Sequence, residues 1–203
     1  MTRIKLCGLT RPEDIAAANA LKPEYIGFVF APRSRRAVSR KKAEGLKAQL
    51  SPEIKAVGVF VNETPEMVAD LLNAGIIDLA QLHGQEDENY IGCLRRLTRK
   101  PLIQAFRVTD AESLREAEKS PADFVLLDSG AGGTGTVFDW ALLENFERPY
   151  FLAGGLDPDN VADAVKRLRP DAVDVSSGIE TAGKKDEQKM AAFVAAVRKQ
   201  DKG

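Results

Sequence analysis

Short apolar runs alternate with longer amphipathic segments from one end of the chain to the other. The apolar runs are RIKLC, YIGFVF, KAVGVFV, LAQLHG, LIQAFRV, FVLLDS, YFLAGG and AVDVSSG, beginning near residues 3, 25, 55, 79, 102, 124, 150 and 172. Between them, apolar positions recur at helical spacing in RPEDIAAANAL, SRKKAEGLKAQL, TPEMVADLLNAG, DENYIGCLRRL, DAESLREAEKS, a short WALLENF, DPDNVADAVKRLR and KDEQKMAAFVAAVRKQ. Thr10 before Pro12, Ser39, and Thr64 before Pro65 are placed to cap the first three helices, and Gly75 closes the third. Parallel neighbouring strands need a crossover of this length. Eight strand–helix units in 203 residues predict an α/β fold, a single (β/α)8 (TIM) barrel with one domain spanning residues 1–203. A doubly wound open sheet is the alternative arrangement.

Composition removes several function classes. Lys and Arg number 29 against 30 Asp and Glu, a net charge of −1, so nothing draws the chain to nucleic acid or to an acidic membrane face. No apolar run approaches the ~18 residues of a membrane span, and the N-terminus lacks a secretory pattern. The cysteines are Cys7 and Cys93, and His83 is the single histidine. Without a CxxC or a histidine pair, a structural zinc site is not expected. Two free thiols fit a reducing compartment, and the expected location is cytoplasmic. Cys93 falls within a helical pattern and reads as packing.

Catalytic groups of such barrels sit at the C-terminal ends of the strands. Here those ends carry Cys7-Gly8, the APRSRR segment, Gln81 and His83, Asp128, Ala153-Gly154-Gly155, and Ser176-Ser177-Gly178. Three glycine-rich segments, GAGGTG (130–135), AGGL (153–156) and SSGI (176–179), follow the last three strands. Glycine lets backbone N–H groups approach an anion, so the barrel reads as a phosphate-binding type. Cys7 and Asp128 are the two groups best placed for proton transfer: a thiolate can act as base, and a carboxyl group raised by burial can act as acid. Packing remains the other reading of Cys7, and loop capping that of Asp128. Arg35 and Arg36 either clamp a substrate carboxylate or form a solvated basic loop. His83 either titrates near neutrality or orients its loop through hydrogen bonds. Residues 129–139 are the candidate lid, with Asp139 and Trp140 capping and anchoring its far end.

Strand parity adds one more expectation. Arg3, Lys5 and Cys7 share a face, as do Asp174 and Ser176. Strands one and eight are neighbours in a closed barrel, so Lys5 should pair with Asp174 inside it, since a lone buried ammonium is costly.

The segments KLCGLT, GFVFAPRSRR, VGVFVN, QLHGQE, LLDSGAGGTGTVFDW, LAGGLDPDNV and VDVSSGIE closely resemble the phosphoribosylanthranilate isomerases of tryptophan biosynthesis. The resemblance runs from about Arg3 to about Lys185, with the motifs in family order. It implies a cofactor-free, metal-free barrel acting on a small-molecule substrate, as monomer or homodimer. The implied reaction is the Amadori rearrangement of N-(5-phosphoribosyl)anthranilate to 1-(2-carboxyphenylamino)-1-deoxyribulose 5-phosphate. By the same resemblance Cys7 is the general base, Asp128 the general acid, and Arg36 (or Arg35) the holder of the anthranilate carboxylate. His83 joins the substrate-binding set. Gly133, Gly135, Gly154, Gly155, Ser176, Ser177 and Gly178 would hold the phosphate. A sugar-phosphate sensor that has lost turnover is the alternative from another class.

Overall fold

The computed structural model describes residues 1–128, 140–143 and 146–200. Its frame is eight strands: β1 (Arg3–Cys7), β2 (Tyr25–Val29), β3 (Lys55–Phe60), β4 (Leu79–Leu82), β5 (Leu102–Arg107), β6 (Phe124–Asp128), β7 (Tyr150–Ala153) and β8 (Ala172–Val175). They pair in parallel and in chain order, and β8 returns to β1, closing the barrel. The open-sheet alternative is thereby excluded. Helices α1 (Pro12–Leu21), α2 (Arg40–Lys47), α3 (Pro65–Asn73), α4 (Glu88–Leu97), α5 (Ala111–Lys119), α6 (Val161–Leu168) and α7 (Glu187–Gln200) supply the crossovers and the outer layer.

Two apolar layers follow from strand parity. The outward-facing residues, including Ile4, Leu6, Phe28 and Phe60, pack against the helices in one large core. The inward-facing residues Tyr25, Val57, Leu79, Ile103, Leu126, Phe151 and Ala172 fill the barrel interior. Phe28, Phe60, Phe151 and Phe193 are wholly buried, each contributing about 1.5–3 kcal/mol of transfer free energy.

Local signals explain most helix starts. Ser39 and Thr64 accept hydrogen bonds from Lys42 and Met67 N–H, as their positions predict. Gly75 adopts φ +72° just past α3, where a Cβ would be strained. At α1 the expectation of Thr10 as cap is corrected. Arg11 holds the cap position, and the Asp14 carboxylate reaches back to accept from the Thr10 and Arg11 N–H groups at 2.8 and 3.0 Å. An ionised acceptor at the helix's positive end satisfies those donors better than a hydroxyl.

Two further departures concern the sixth unit and the last crossover. The described part of WALLENF, Trp140–Leu143, is a 3-10 turn rather than an α-helix. Pro149 lies just ahead of β7 and restricts the residue before it to extended backbone. After β8, a 3-10 turn (Ser177–Ile179) leads into a two-stranded hairpin, β9 (Glu180–Thr181) and β10 (Lys184–Lys185). Its turn residues Ala182 and Gly183 both have positive φ, the geometry of a tight hairpin turn. This hairpin is not anticipated by the sequence periodicity.

Candidate active site

Register alone assembles the site. Pairing sets Cys7 beside Gly27, Lys5 beside Asp174, Val59 beside Gln81, and Asp128 beside Ala153. All of these positions share the interior parity of their strands. At the C-terminal mouth Cys7, Arg36, Val59, Gln81, His83, Asp128, Gly154, Gly155, Asp174, Ser176 and Ser177 line one cavity of about 370 Å³.

Cys7 is buried in a collar formed by Val29 and Val59. Burial pushes its thiol above the usual value, while the Lys5 ammonium two residues back along β1 pulls it down and Asp174 pushes it up. Lys5 is wholly buried and donates to Asp174 Oδ1 at 2.9 Å, with the Asp174 side chain 10% exposed. The pair expected from strand parity is therefore present. Burial alone would lower the Lys5 ammonium, but the charges of Asp174 and Cys7 outweigh it and raise the group.

Room for the thiol comes from Gly27. A Cβ there would lie 2.6 Å from Cys7 Sγ and 3.1 Å from its Cα. Gly27→Ala is expected to displace the thiol and lower kcat by about 10- to 100-fold. Stability should fall by only ~1–3 kcal/mol. Steady-state kinetics beside thermal unfolding checks both.

Across the mouth, the Gln81 amide nitrogen lies 2.9 Å from His83 Nδ1. A donor on that nitrogen leaves the neutral imidazole proton on Nε2, and Nε2 stands 3.6 Å from Asp128 Oδ2. That separation is beyond a direct hydrogen bond. His83 thus stands between Gln81 and Asp128 at the mouth. Gln81 Oε1 is buried and accepts no hydrogen bond among the described residues.

The two arginines separate clearly. Arg36 lines the cavity with its side chain 21% exposed, whereas Arg35 is 62% exposed. The stem of Arg36 lies so close to Gly8 that a Cβ there would meet Arg36 Cδ at 2.5 Å. Both arginines bind Glu180, through Arg36 Nε and Nη2 at 2.6 and 2.9 Å and Arg35 Nη2 at 2.7 Å. Lys185 Nζ reaches Glu180 at 2.8 Å and the Ser176 carbonyl at the same distance. Burial would raise the Glu180 carboxyl, but hydrogen bonds from Arg36 and Lys185, with their charges, hold it at about 2. Burial pushes the Lys185 ammonium below its ordinary value. Glu180 and Lys185 are the residues that strand-end reasoning missed. The SSGIE motif and an Ala-Gly turn between two short polar pairs were their only sequence signals.

At the ends of β7 and β8, Gly154 and Gly155 adopt φ of +96° and +66°, turning the chain after β7 along the cavity rim. Asn160 fastens that turn by donating to the Gly155 carbonyl at 2.9 Å. Ser176 Oγ donates to the Cys7 carbonyl at 3.2 Å, tying β8's end to β1's. Gly178 packs where a Cβ would lie 2.0 Å from the Leu156 carbonyl oxygen, and Ser176 and Ser177 are the β8-end residues facing the cavity. Gly133, Gly135, the candidate lid 129–139 and the Asp139 cap lie outside the described residues. Cys93 on α4 is half-buried and accepts from Arg96 Nη2 at 3.0 Å. Among the described residues no helix is long and apolar enough to cross a membrane, and no group of three or more His, Cys, Asp or Glu could hold a metal ion.

A closed parallel barrel with polar side chains and glycine turns gathered at its C-terminal mouth defines a (β/α)8-barrel enzyme. Residues 4–196 match the family model of N-(5'phosphoribosyl)anthranilate (PRA) isomerase. The chain belongs to that family and is an isomerase. The N-(5'-phosphoribosyl)anthranilate isomerase of Endomicrobium trichonymphae is 46% identical over 202 residues, covering 98% of this chain and 99% of its own. The crystal structure of the Thermotoga maritima phosphoribosyl anthranilate isomerase superposes with a TM-score of 0.89 at 35% identity, over 98% of this chain and 100% of that one. A phosphoribosyl anthranilate isomerase in complex with reduced 1-(o-carboxyphenylamino)-1-deoxyribulose 5-phosphate is similar at 34% identity and a TM-score of 0.86, with 98% and 100% coverage.

Proposed function

We propose that this chain converts N-(5'-phosphoribosyl)anthranilate to 1-(2-carboxyphenylamino)-1-deoxyribulose 5-phosphate in tryptophan biosynthesis, with Cys7 as general base and Asp128 as general acid. One observation carries the assignment of roles. A buried thiol, a carboxyl group beside an imidazole, an arginine, and two glycine or serine turns all face one cavity of about 370 Å³. A substrate with a carboxylate at one end and a phosphate at the other needs this set of groups. Arg36 takes the carboxylate. The Gly154-Gly155 and Ser176-Ser177 backbone takes the phosphate, joined by Gly133 and Gly135 of the GAGGTG segment.

Asp128 protonates the furanose ring oxygen, and the C1–O bond breaks to give an open-chain protonated imine. That imine draws electrons from C2, so the C2 proton becomes acidic. The Cys7 thiolate removes it, leaving an enolamine. The enolamine gains a proton at C1 and loses one from the 2-hydroxyl, giving the ketone. His83, whose Nε2 stands 3.6 Å from Asp128 Oδ2, comes within hydrogen-bond reach as substrate binds and directs the other carboxyl oxygen to the ring oxygen.

The test is a fluorescence assay. Phosphoribosylanthranilate is generated in place from anthranilate and phosphoribosyl pyrophosphate with the transferase, and loss of its fluorescence is followed after adding this protein. Rapid loss supports the isomerase reaction. A folded sample that binds the substrate without accelerating its loss supports the sensor instead.

A further inference from the structure

The hairpin after β8 carries a charge cluster set apart from the strand ends. Glu180, its side chain 5% exposed, receives three cations: Arg35 and Arg36 from the loop after β2, and Lys185 from across the hairpin. The hairpin is fastened on both sides. Lys189 Nζ donates to the Glu180 carbonyl at 2.9 Å, and Arg11 Nη2 to the Lys185 carbonyl at 2.8 Å.

Arg36 meets Glu180 in a two-pronged contact, Nε to Oε1 and Nη2 to Oε2. A guanidinium has five N–H donors in one plane. Two of Arg36's are used by Glu180. One on Nη2 and both on Nη1 remain, along the edge that can grip a second carboxylate through two parallel bonds. The Glu180 contact therefore fixes both the plane and the heading of that edge. Three cations on one carboxylate also leave the cluster net positive, suited to an anionic partner. Gly8 removes the Cβ that would push the Arg36 stem away.

We propose that Glu180, braced by Lys185, is the positioning residue that aims Arg36 at the substrate's carboxylate and thereby sets selectivity for carboxylated over plain anilino-sugar phosphates. The inference rests on the reading of Arg36 as the carboxylate holder.

The test compares kcat/KM for N-(5'-phosphoribosyl)anthranilate with that for N-(5'-phosphoribosyl)aniline, each formed in place from ribose 5-phosphate and the amine. Both carry the phosphate and the reacting sugar; only one carries the carboxylate. Arg36→Met tests the underlying reading and should bring the ratio of the two kcat/KM values close to one. Glu180→Gln should lower the ratio by about tenfold or more, mostly through KM for the carboxylated substrate. The plain anilino substrate should change far less. If Arg36→Met leaves the ratio intact, the carboxylate reading falls and the proposal with it. If Arg36→Met collapses the ratio while folded Glu180→Gln keeps it, Glu180 is only structural and the proposal alone is overturned. Should Glu180→Gln not fold, Glu180→Asp takes its place, since it keeps the charge and shortens the reach. A lowered ratio supports aiming, and an unchanged one overturns it.

Discussion

Cys7→Ala and Asp128→Asn are each expected to lower kcat by about 10²- to 10⁴-fold, the usual worth of a positioned acid or base. KM should move much less if, as proposed, Arg36 and the glycine and serine turns take the substrate's two ends. The two losses should not add in full, since the groups serve successive steps of one reaction and the slower step sets the rate. Cys7→Ala removes one sulfur from a collar of valines and leaves no unpaired charge, so its thermal unfolding should stay close to the parent's. Asp128→Asn keeps the side chain's shape beside His83 but cannot protonate the ring oxygen. Steady-state fluorescence kinetics on each variant and on the pair, with unfolding curves alongside, checks the expectation. A Cys7→Ala protein that keeps full kcat would remove the thiol from the mechanism and return it to packing.

Lys5→Met is expected to damage both stability and rate. It leaves the Asp174 carboxylate near the barrel axis without its partner. Removing one member of a buried ion pair costs about 3–5 kcal/mol, and the slight exposure of Asp174 through the cavity places this case toward the lower end. The double variant Lys5→Met/Asp174→Leu should recover most of the loss, because the charge left behind is then absent. Chemical unfolding of the single and double variants measures this. The kinetic effect has a definite sign. Lys5 is the main charge opposing the rise of the Cys7 thiol on burial. Without it the thiol's pKa climbs further. A base must be deprotonated to work, so the rising limb of the kcat–pH profile should move to higher pH and the rate at neutrality should drop. An unshifted limb in a folded Lys5→Met protein would show that the ammonium does not govern Cys7.

Much of this molecule is legible along the chain because parallel barrels are built from local, repeated signals. Apolar runs of four to six residues, caps such as Ser39 and Thr64, and the Gly75 terminator place most elements from their own residues and neighbours. Parity on two strands was sufficient to pair Lys5 with Asp174, since closure leaves each inward charge only a few partners. The misplacements arose where two local signals competed. At α1 the Asp14 carboxylate accepts from the Thr10 and Arg11 N–H groups in place of the Thr10 hydroxyl, and Trp140–Leu143 winds as a 3-10 turn.

Fold class, family and the residue types offered at the strand ends are all legible along the chain, because each depends on short-range patterning and motif order. Three-dimensional packing was needed to show which of two adjacent arginines faces the cavity, that His83 stands beside Asp128, and that Glu180 and Lys185 cluster with Arg36. Those facts turn on contacts between groups as far apart as positions 36 and 180, whose energies depend on angles and distances of a few ångströms that no periodicity encodes. The closing of β8 onto β1 brings the two ends of the chain into one mouth, and the charges then choose their partners.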